Sequence, residues 1–356
     1  MTLSDLRVRS EKHANGESPG TLARAPGRLV GNTPLVEFPR LSVKLPHRIV
    51  GKCEFVNPHG SVKDRIGWHI VQCAEAAGLI TPGVSTLVEG TAGNTGLSLV
   101  AAAAGRYQLI CTMSTKVGAD KEMMLRARGA NVIRCPYDVA PDDPASFLNT
   151  ARRIADTIDH GYYVNQFENL WNVEAHYLTT GAELVSQVDQ LLDGNVAAFV
   201  SGAGTGGTFT GVCRRLVEAG VPGEYVIADP EGSVITDAFH GRPLRPGPYL
   251  IEGIGSDFVP PLLDLNLANR VMTVRDEESI QTCMNVVRTE GLFLGGSSGC
   301  ALAAAIRLAR ELPGPRSTIV VILPDGGDRY VSTIYNADWR AARGLAESMP
   351  AGKRNV

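Results

Sequence analysis

The sequence predicts an α/β fold of two domains, each a mostly parallel twisted sheet flanked by helices. Three observations carry that expectation. Apolar runs of strand length alternate with helical segments almost throughout, the pattern of parallel sheets covered by helices on both faces. The strands are too numerous for one small sheet. Glycine-rich loops follow several of them, and ligands of such folds sit at the carboxyl ends of strands.

In chain order, "TLVEG" leads to the helix "GLSLVAAAAG", "QLICTMS" to "KEMMLRARG", "NVIRC" to "FLNTARRIAD", and "YYVNQF" to a helix from about Asn172 to Gln190. The alternation continues with "AAFVSG" and "GTFTGVCRRLVEAG", then "EYVIADP", "RVMTV" with "EESIQTCMNVVRTEG", and "STIVVILP" near the end. The polar or irregular ends read as tails, residues 1–25 and 341–356. Neither internal repeats nor low-complexity segments are evident.

At 356 residues, 44% hydrophobic and 20% charged, the chain has enough apolar material for two cores. A net charge of -3 with no basic run argues against nucleic acid or an anionic membrane as partner. The longest apolar stretches are too short to span a bilayer, and the N-terminus lacks the apolar core of a signal peptide. A cytoplasmic protein is therefore expected. The seven cysteines are scattered singly, with no Cys-x-x-Cys pair and no histidine read at ligand spacing, which argues against a disulfide framework or structural zinc.

The stretch "NPHGSVKDRIG" aims one lysine with care. Asn57-Pro58 and Gly60 make a turn that sets where the next helix begins, Ser61 is the expected N-cap, and Lys63 follows, flanked by Asp64 and Arg65. The same residues also read as an ordinary helix first turn with solvated charges. Lysines used for Schiff-base chemistry need such a fixed approach and a setting that favours the neutral amine.

Four loops bear on which reading holds. In "AAFVSGAGTGGTFTGV", Gly202, Gly204 and Gly207 satisfy G-x-G-x-x-G, and Asp229 stands where a ribose-binding acid would, as in an NAD-dependent oxidoreductase. The threonines Thr205, Thr208 and Thr210 instead favour hydroxyls and backbone N–H groups converging on one phosphate monoester. In "VEGTAGNTGLSLV", Thr91, Asn94 and Thr95 read either as a helix cap or as a cradle for a carboxylate. In "LFLGGSSGCALAAA", Ser297 and Ser298 are either an N-cap or a neutral hydroxyl for a heterocycle nitrogen, and "ILPDGGDRYVST" can simply close a sheet.

Taken together, these motifs resemble those of the pyridoxal-phosphate enzymes of the cysteine synthase and cystathionine β-synthase family, fold type II (tryptophan synthase β-like). The resemblance runs from about Leu29 in "LVGNTPLV" to Thr333 in "DRYVST". Asn57, Pro58, Ser61, Lys63, Asp64 and Arg65 match the family's N-P-x-x-S-x-K-D-R. The resemblance implies that Lys63 is the catalytic residue and holds pyridoxal 5'-phosphate. It implies that Asn94 meets the cofactor's ring oxygen, that Gly204, Thr205, Gly206, Gly207 and Thr208 hold its phosphate, and that Ser297 meets the pyridine nitrogen. Thr91, Ala92, Gly93, Asn94, Thr95 and Gln166 would bind the substrate carboxylate. The family more often has serine where Ala92 stands.

The implied division gives residues 26–47 and 172–340 to a larger, phosphate-binding domain and residues 48–171 to a smaller one carrying the carboxylate loop. The implied chemistry is β-replacement or β-elimination on serine- or cysteine-type amino acids through an α-aminoacrylate, as in a cysteine synthase or a cysteine desulfhydrase. The partners would be a small amino acid and sulfide or another small nucleophile, in a homodimer that binds no metal. Replacement with an amine nucleophile, and a non-catalytic regulatory protein on this fold, are the alternatives.

Overall fold

A computed structural model describes residues 23, 26–91, 93–140 and 142–345. Among these residues ten strands form two sheets: a six-stranded one in the order β1-β2-β10-β7-β8-β9, and a four-stranded one in the order β5-β4-β3-β6. The larger sheet comprises β1 (Leu35–Glu37), β2 (Arg48–Cys53), β7 (Val196–Gly202), β8 (Glu224–Pro230), β9 (Arg270–Val274) and β10 (Thr318–Leu323). The smaller comprises β3 (Thr86–Gly90), β4 (Gln108–Ser114), β5 (Asn131–Cys135) and β6 (Gly161–Tyr163). All pairings are parallel except β1 with β2.

Among the described residues, eleven helices of more than one turn accompany them: α1 (Lys63–Ala76), α2 (Asn94–Ala103), α3 (Ala119–Ala127), α4 (Phe147–Thr157), α5 (Leu170–His176), α6 (Ala182–Leu192), α7 (Gly207–Glu218), α8 (Ile235–Phe239), α9 (Asp276–Glu290), α10 (Gly296–Glu311) and α11 (Ala337–Ala341). The single helix expected from Asn172 to Gln190 is α5 and α6 joined by a π turn, Tyr177–Gly181.

The larger sheet is buried on both faces. In β10, Ile319, Val321 and Leu323 face one core with Ala198 and Val200 of β7, while Val320 and Ile322 face the other with Phe199. This is the period-two alternation of a strand whose two faces are both apolar. The smaller sheet packs Leu87 and Leu109 against Ile66 and Ile70 of α1 and Leu97 of α2. Its other face meets Ala151 and Ala155 of α4 through Val88.

The expected domain boundary at residue 48 is corrected. Strand β2 pairs in parallel with β10 over Arg48–Cys53 and antiparallel with β1, and so belongs to the larger sheet. Its sequence, "RIVGKC", hides its nature by burying a glycine and a lysine. A Cβ on Gly51 would stand 2.4 Å from Leu323 Cδ1 and 2.9 Å from Phe38 Cε2, so any larger residue would have to displace these two core side chains. Lys52 is buried because its Nζ meets Glu183 Oε2 of α6 at 2.6 Å.

Candidate active site

Lys63 begins α1, at the end of a turn held from several sides. The Asn57 Oδ1 accepts from the Gly31 N–H at 2.9 Å, and Asn57 Nδ2 donates to Glu54. Gly60 sits at φ +78°, and Arg329 donates to the carbonyls of Gly60 (3.2 Å) and His59. Asp64 accepts from the His59 N–H at 2.7 Å. The cap position falls on Val62 rather than Ser61, but Ser61 Oγ still accepts from the Lys63 N–H at 3.3 Å.

Asp64 and Arg65 are not solvated first-turn charges. Both are buried, and Arg65 bonds Glu54 Oε2 at 2.6 Å and Glu183 Oε1 at 2.7 Å. The two charges beside the lysine therefore build the turn and anchor the helix to α6. Burial lowers the Lys63 amine to about 8, and only the opposing pull of Asp325 keeps it from falling further. A lysine with this pKa carries a useful neutral fraction near neutral pH.

Three loops close around it. At the start of α2, Thr91 Oγ1 accepts from the Gly93 N–H at 3.1 Å, and Thr95 Oγ1 donates to Gln166 Oε1 at 2.6 Å. The Gln166 amide donates to the Gly90 carbonyl at 3.1 Å, so Gln166 joins the Thr91–Thr95 loop as expected. Ala92 lies outside the described residues. Asn94 Nδ2 donates to Asp325 Oδ2, which also accepts from the Tyr330 hydroxyl at 2.7 Å.

The second loop, Gly204 to Thr208, leads from β7 into α7, which has no side-chain N-cap. Its N-cap is Gly206, which has no side chain to offer, and the Gly207 N–H is met from the preceding residue by Thr205 Oγ1 at 3.4 Å. Glycine is required there: a Cβ on Gly204 would stand 2.6 Å from the Gly253 carbonyl, one on Gly207 2.0 Å from Asn172 Oδ1, and Gly206 adopts φ +86°. Asn172 Nδ2 bonds Thr205 Oγ1 at 2.9 Å and the Gln166 carbonyl at 2.8 Å. His176 Nε2 lies 3.1 Å from Thr208 Oγ1, with burial first and then Lys63 holding its imidazole neutral. The third loop places Ser297 and Ser298, both buried, in the first turn of α10. Among the described residues, Ser298 Oγ, Asn172 Oδ1 and Asp325 Oδ1 are buried without a hydrogen-bond partner.

A glycine-rich helix start with flanking threonines, a depressed amine, a threonine-lined helix start after β3 and orphaned polar atoms fit a phosphorylated aldehyde. They do not fit a dinucleotide. Asp229, the acid a ribose would need, accepts from the Thr236 N–H at 2.9 Å and its hydroxyl at 2.6 Å, and so caps the start of α8.

Sequence reasoning missed Asp325, Asn172 and His176. Asp325 sits in "LPDGGDRY", which also reads as a sheet-closing turn. Asn172 and His176 look like ordinary positions on a helix face. Cys300 is fully buried and its thiol is pushed up by burial, as an inert core residue would be.

A family model described as pyridoxal-phosphate dependent enzyme matches residues 27–325. The chain is 37% identical over 329 residues to a cystathionine beta-synthase of Apis mellifera, covering 92% of this chain and 64% of that protein. It is 39% identical over 328 residues to cysteine synthase 1 of Neurospora crassa, covering 90% and 85%. The fold is similar, with a TM-score of 0.79 and 35% identity, to the O-acetylserine dependent cystathionine beta-synthase of Helicobacter pylori, over 89% of this chain and 100% of that one. The chain thus spans less than two thirds of the length of the cystathionine beta-synthases it matches.

Proposed function

This chain belongs to the pyridoxal-phosphate dependent enzymes, and we propose that it replaces or eliminates the β substituent of serine- or cysteine-type amino acids. The preferred reading is attack by a sulfur nucleophile on an activated serine. The observation that carries it is the setting of Lys63, an amine depressed to about 8 at the head of α1, between a loop suited to a phosphate and a loop suited to an α-carboxylate.

When bound, the cofactor supplies an aldehyde for the lysine amine and a ring that withdraws electrons from the substrate's Cα. The residues divide the remaining work. As the neutral amine, Lys63 Nζ would hold the cofactor's aldehyde carbon, and the same nitrogen would serve as base for the substrate's Cα proton. The first turn of α7, with Thr205 and Thr208, would hold the phosphate; Asn172 and His176 fix those two hydroxyls. Asn94 would donate to the ring oxygen. Ser297 would offer the ring nitrogen a neutral hydroxyl, which does not favour its protonation as a carboxylate would, and this would bias the chemistry toward loss of a β group.

The N–H groups and hydroxyls from Thr91 to Thr95, with Gln166, bind the substrate carboxylate at the positive end of α2. The same residues serve cysteine losing sulfide and sulfide adding to form cysteine. O-acetylserine is the favoured donor, since one solved neighbour is O-acetylserine dependent. A homodimer and a cytoplasmic setting belong to the same proposal, the first resting on the resemblance and the second on the short apolar runs of the sequence; among the described residues no helix is long and apolar enough to cross a membrane.

The test offers O-acetylserine, O-phosphoserine, serine and cysteine in turn, with and without sulfide, and identifies the products. Cysteine formed from an activated serine supports the reading. Failure of all four donors to lose a β substituent while the cofactor is bound removes it.

A further inference from the structure

We propose that His69, Cys73 and Glu174 form a binding site for one divalent transition-metal ion of the zinc class, tying α1 to α5. One ligand atom from each residue lies within 4.8 Å of the others. His69 Nε2 is 3.5 Å from Cys73 Sγ and 3.9 Å from Glu174 Oε2. Zinc–sulfur and zinc–nitrogen bonds of about 2.3 and 2.0 Å at a tetrahedral angle put sulfur and nitrogen about 3.5 Å apart, and nitrogen and oxygen about 3.4 Å apart. The first separation is already met, and the second needs a shift of a few tenths of an ångström.

The sequence reading that no histidine stands at ligand spacing from a cysteine is corrected here. His69 and Cys73 are four residues apart, one turn of α1, and so share a face. Glu174 reaches them from α5 with its side chain 1% exposed. Cys73 is half-buried, which leaves the site a path from solvent.

The donor set decides what occupies it. A divalent ion displaces one proton from Cys73 Sγ to water and binds the neutral His69 Nε2 and the ionised Glu174. The set then carries two negative charges against two positive, and water fills the fourth position. The donors, imidazole nitrogen, thiolate and carboxylate, suit zinc or cobalt and not magnesium or calcium.

The placement gives the ion a structural consequence. Helix α1 starts with Lys63, and α5 carries Asn172 and His176, which contact Thr205 and Thr208. An ion at Glu174 clamps together the helix of the lysine and the helix that backs the glycine loop of α7. This inference stands independently of the reaction proposed above.

The test uses the full chain with its cofactor, treated with a chelator and then titrated with Zn²⁺ against a chromophoric competitor. One ion per chain is expected. His69→Ala, Cys73→Ser and Glu174→Gln, each checked for native circular dichroism, should each weaken binding by more than about tenfold, since even outer partners of a metal site cost about 10–100-fold. Co²⁺ in place of Zn²⁺ should show a thiolate charge-transfer band that Cys73→Ser alone removes.

A second readout needs no variant. The other six cysteines are buried, so a thiol reagent on the native chain reports Cys73, and Zn²⁺ should slow its labelling about tenfold or more. No bound ion, an ion indifferent to all three substitutions, or unchanged labelling would overturn the assignment.

Discussion

Asn94 Nδ2 donates to Asp325 Oδ2 at 2.8 Å, joining residues 231 positions apart in sequence. The bond runs from the loop after β3 in the smaller sheet to the loop after β10 in the larger. It places a buried carboxyl, raised by its own burial, beside the Lys63 amine. An anion there stabilises the ammonium form, so its removal favours the amine.

Asp325→Asn should therefore lower the Lys63 pKa below its value of about 8. The pH midpoint for combination of the apo chain with pyridoxal phosphate, followed by its visible absorbance, should move to lower pH by roughly half a unit to one unit. An unmoved midpoint means that Asp325 does not act on Lys63 as an anion.

Lys63→Met should stabilise the apo chain. The folded pKa of about 8 lies below the usual 10.5 because burial disfavours the charged form. Below pH 8 both states are protonated and the folded state bears the full penalty; the penalty is relieved as pH rises from about 8 to 10.5, where the unfolded chain binds more protons. The gain should be roughly 1–2 kcal/mol at pH 7 and vanish near pH 11. Denaturant unfolding at the two pH values measures it.

Glu183→Gln should cost about 3–5 kcal/mol, because it strands Lys52 and Arg65 as buried charges short of one partner. Burial works against the ionised form, yet Arg65 and Lys52 hold the Glu183 carboxyl at about 2, below its usual 4.5. That stability is present above pH 4.5 and is lost as pH falls toward 2. Acid unfolding of the variant should lack this component. An acid limb identical to that of the parent chain contradicts the pairing.

Much of the site is legible in local sequence because a turn, a lysine and a helix start are contiguous. Lys63 and its Asn57–Gly60 lead-in belong to one stretch, as do Gly204 to Thr208. What is not legible depends on distant partners. Strand β2 looks unlike a strand because Gly51 makes room for Leu323 and Lys52 finds Glu183. Asp325 shows its role only where Asn94 and Tyr330 meet it. His69 and Cys73 are visible as a pair only once the segment is read as a helix, and Glu174 only once α5 is packed on it.

Glu89 is the penultimate residue of β3, just before the Thr91–Thr95 loop, fully buried, and burial pushes its carboxyl up to about 8. Its unfolded value is near 4.5, so between these pH values the folded chain binds more protons and stability falls as pH rises. Glu89→Gln should remove that slope, leaving the variant more stable than the parent at pH 9 than at pH 5 on the same scale. Thermal unfolding at both values decides it; parallel losses at both mean that Glu89 is needed ionised.

Borohydride reduction followed by peptide mapping tests whether Lys63 carries the cofactor. The pyridoxyl group should be found on the peptide containing Lys63. Lys63→Ala should incorporate none while the loop from Gly204 to Thr208 still binds cofactor without a covalent bond. A label on Lys52, Lys121 or any other lysine of the parent chain would contradict the account.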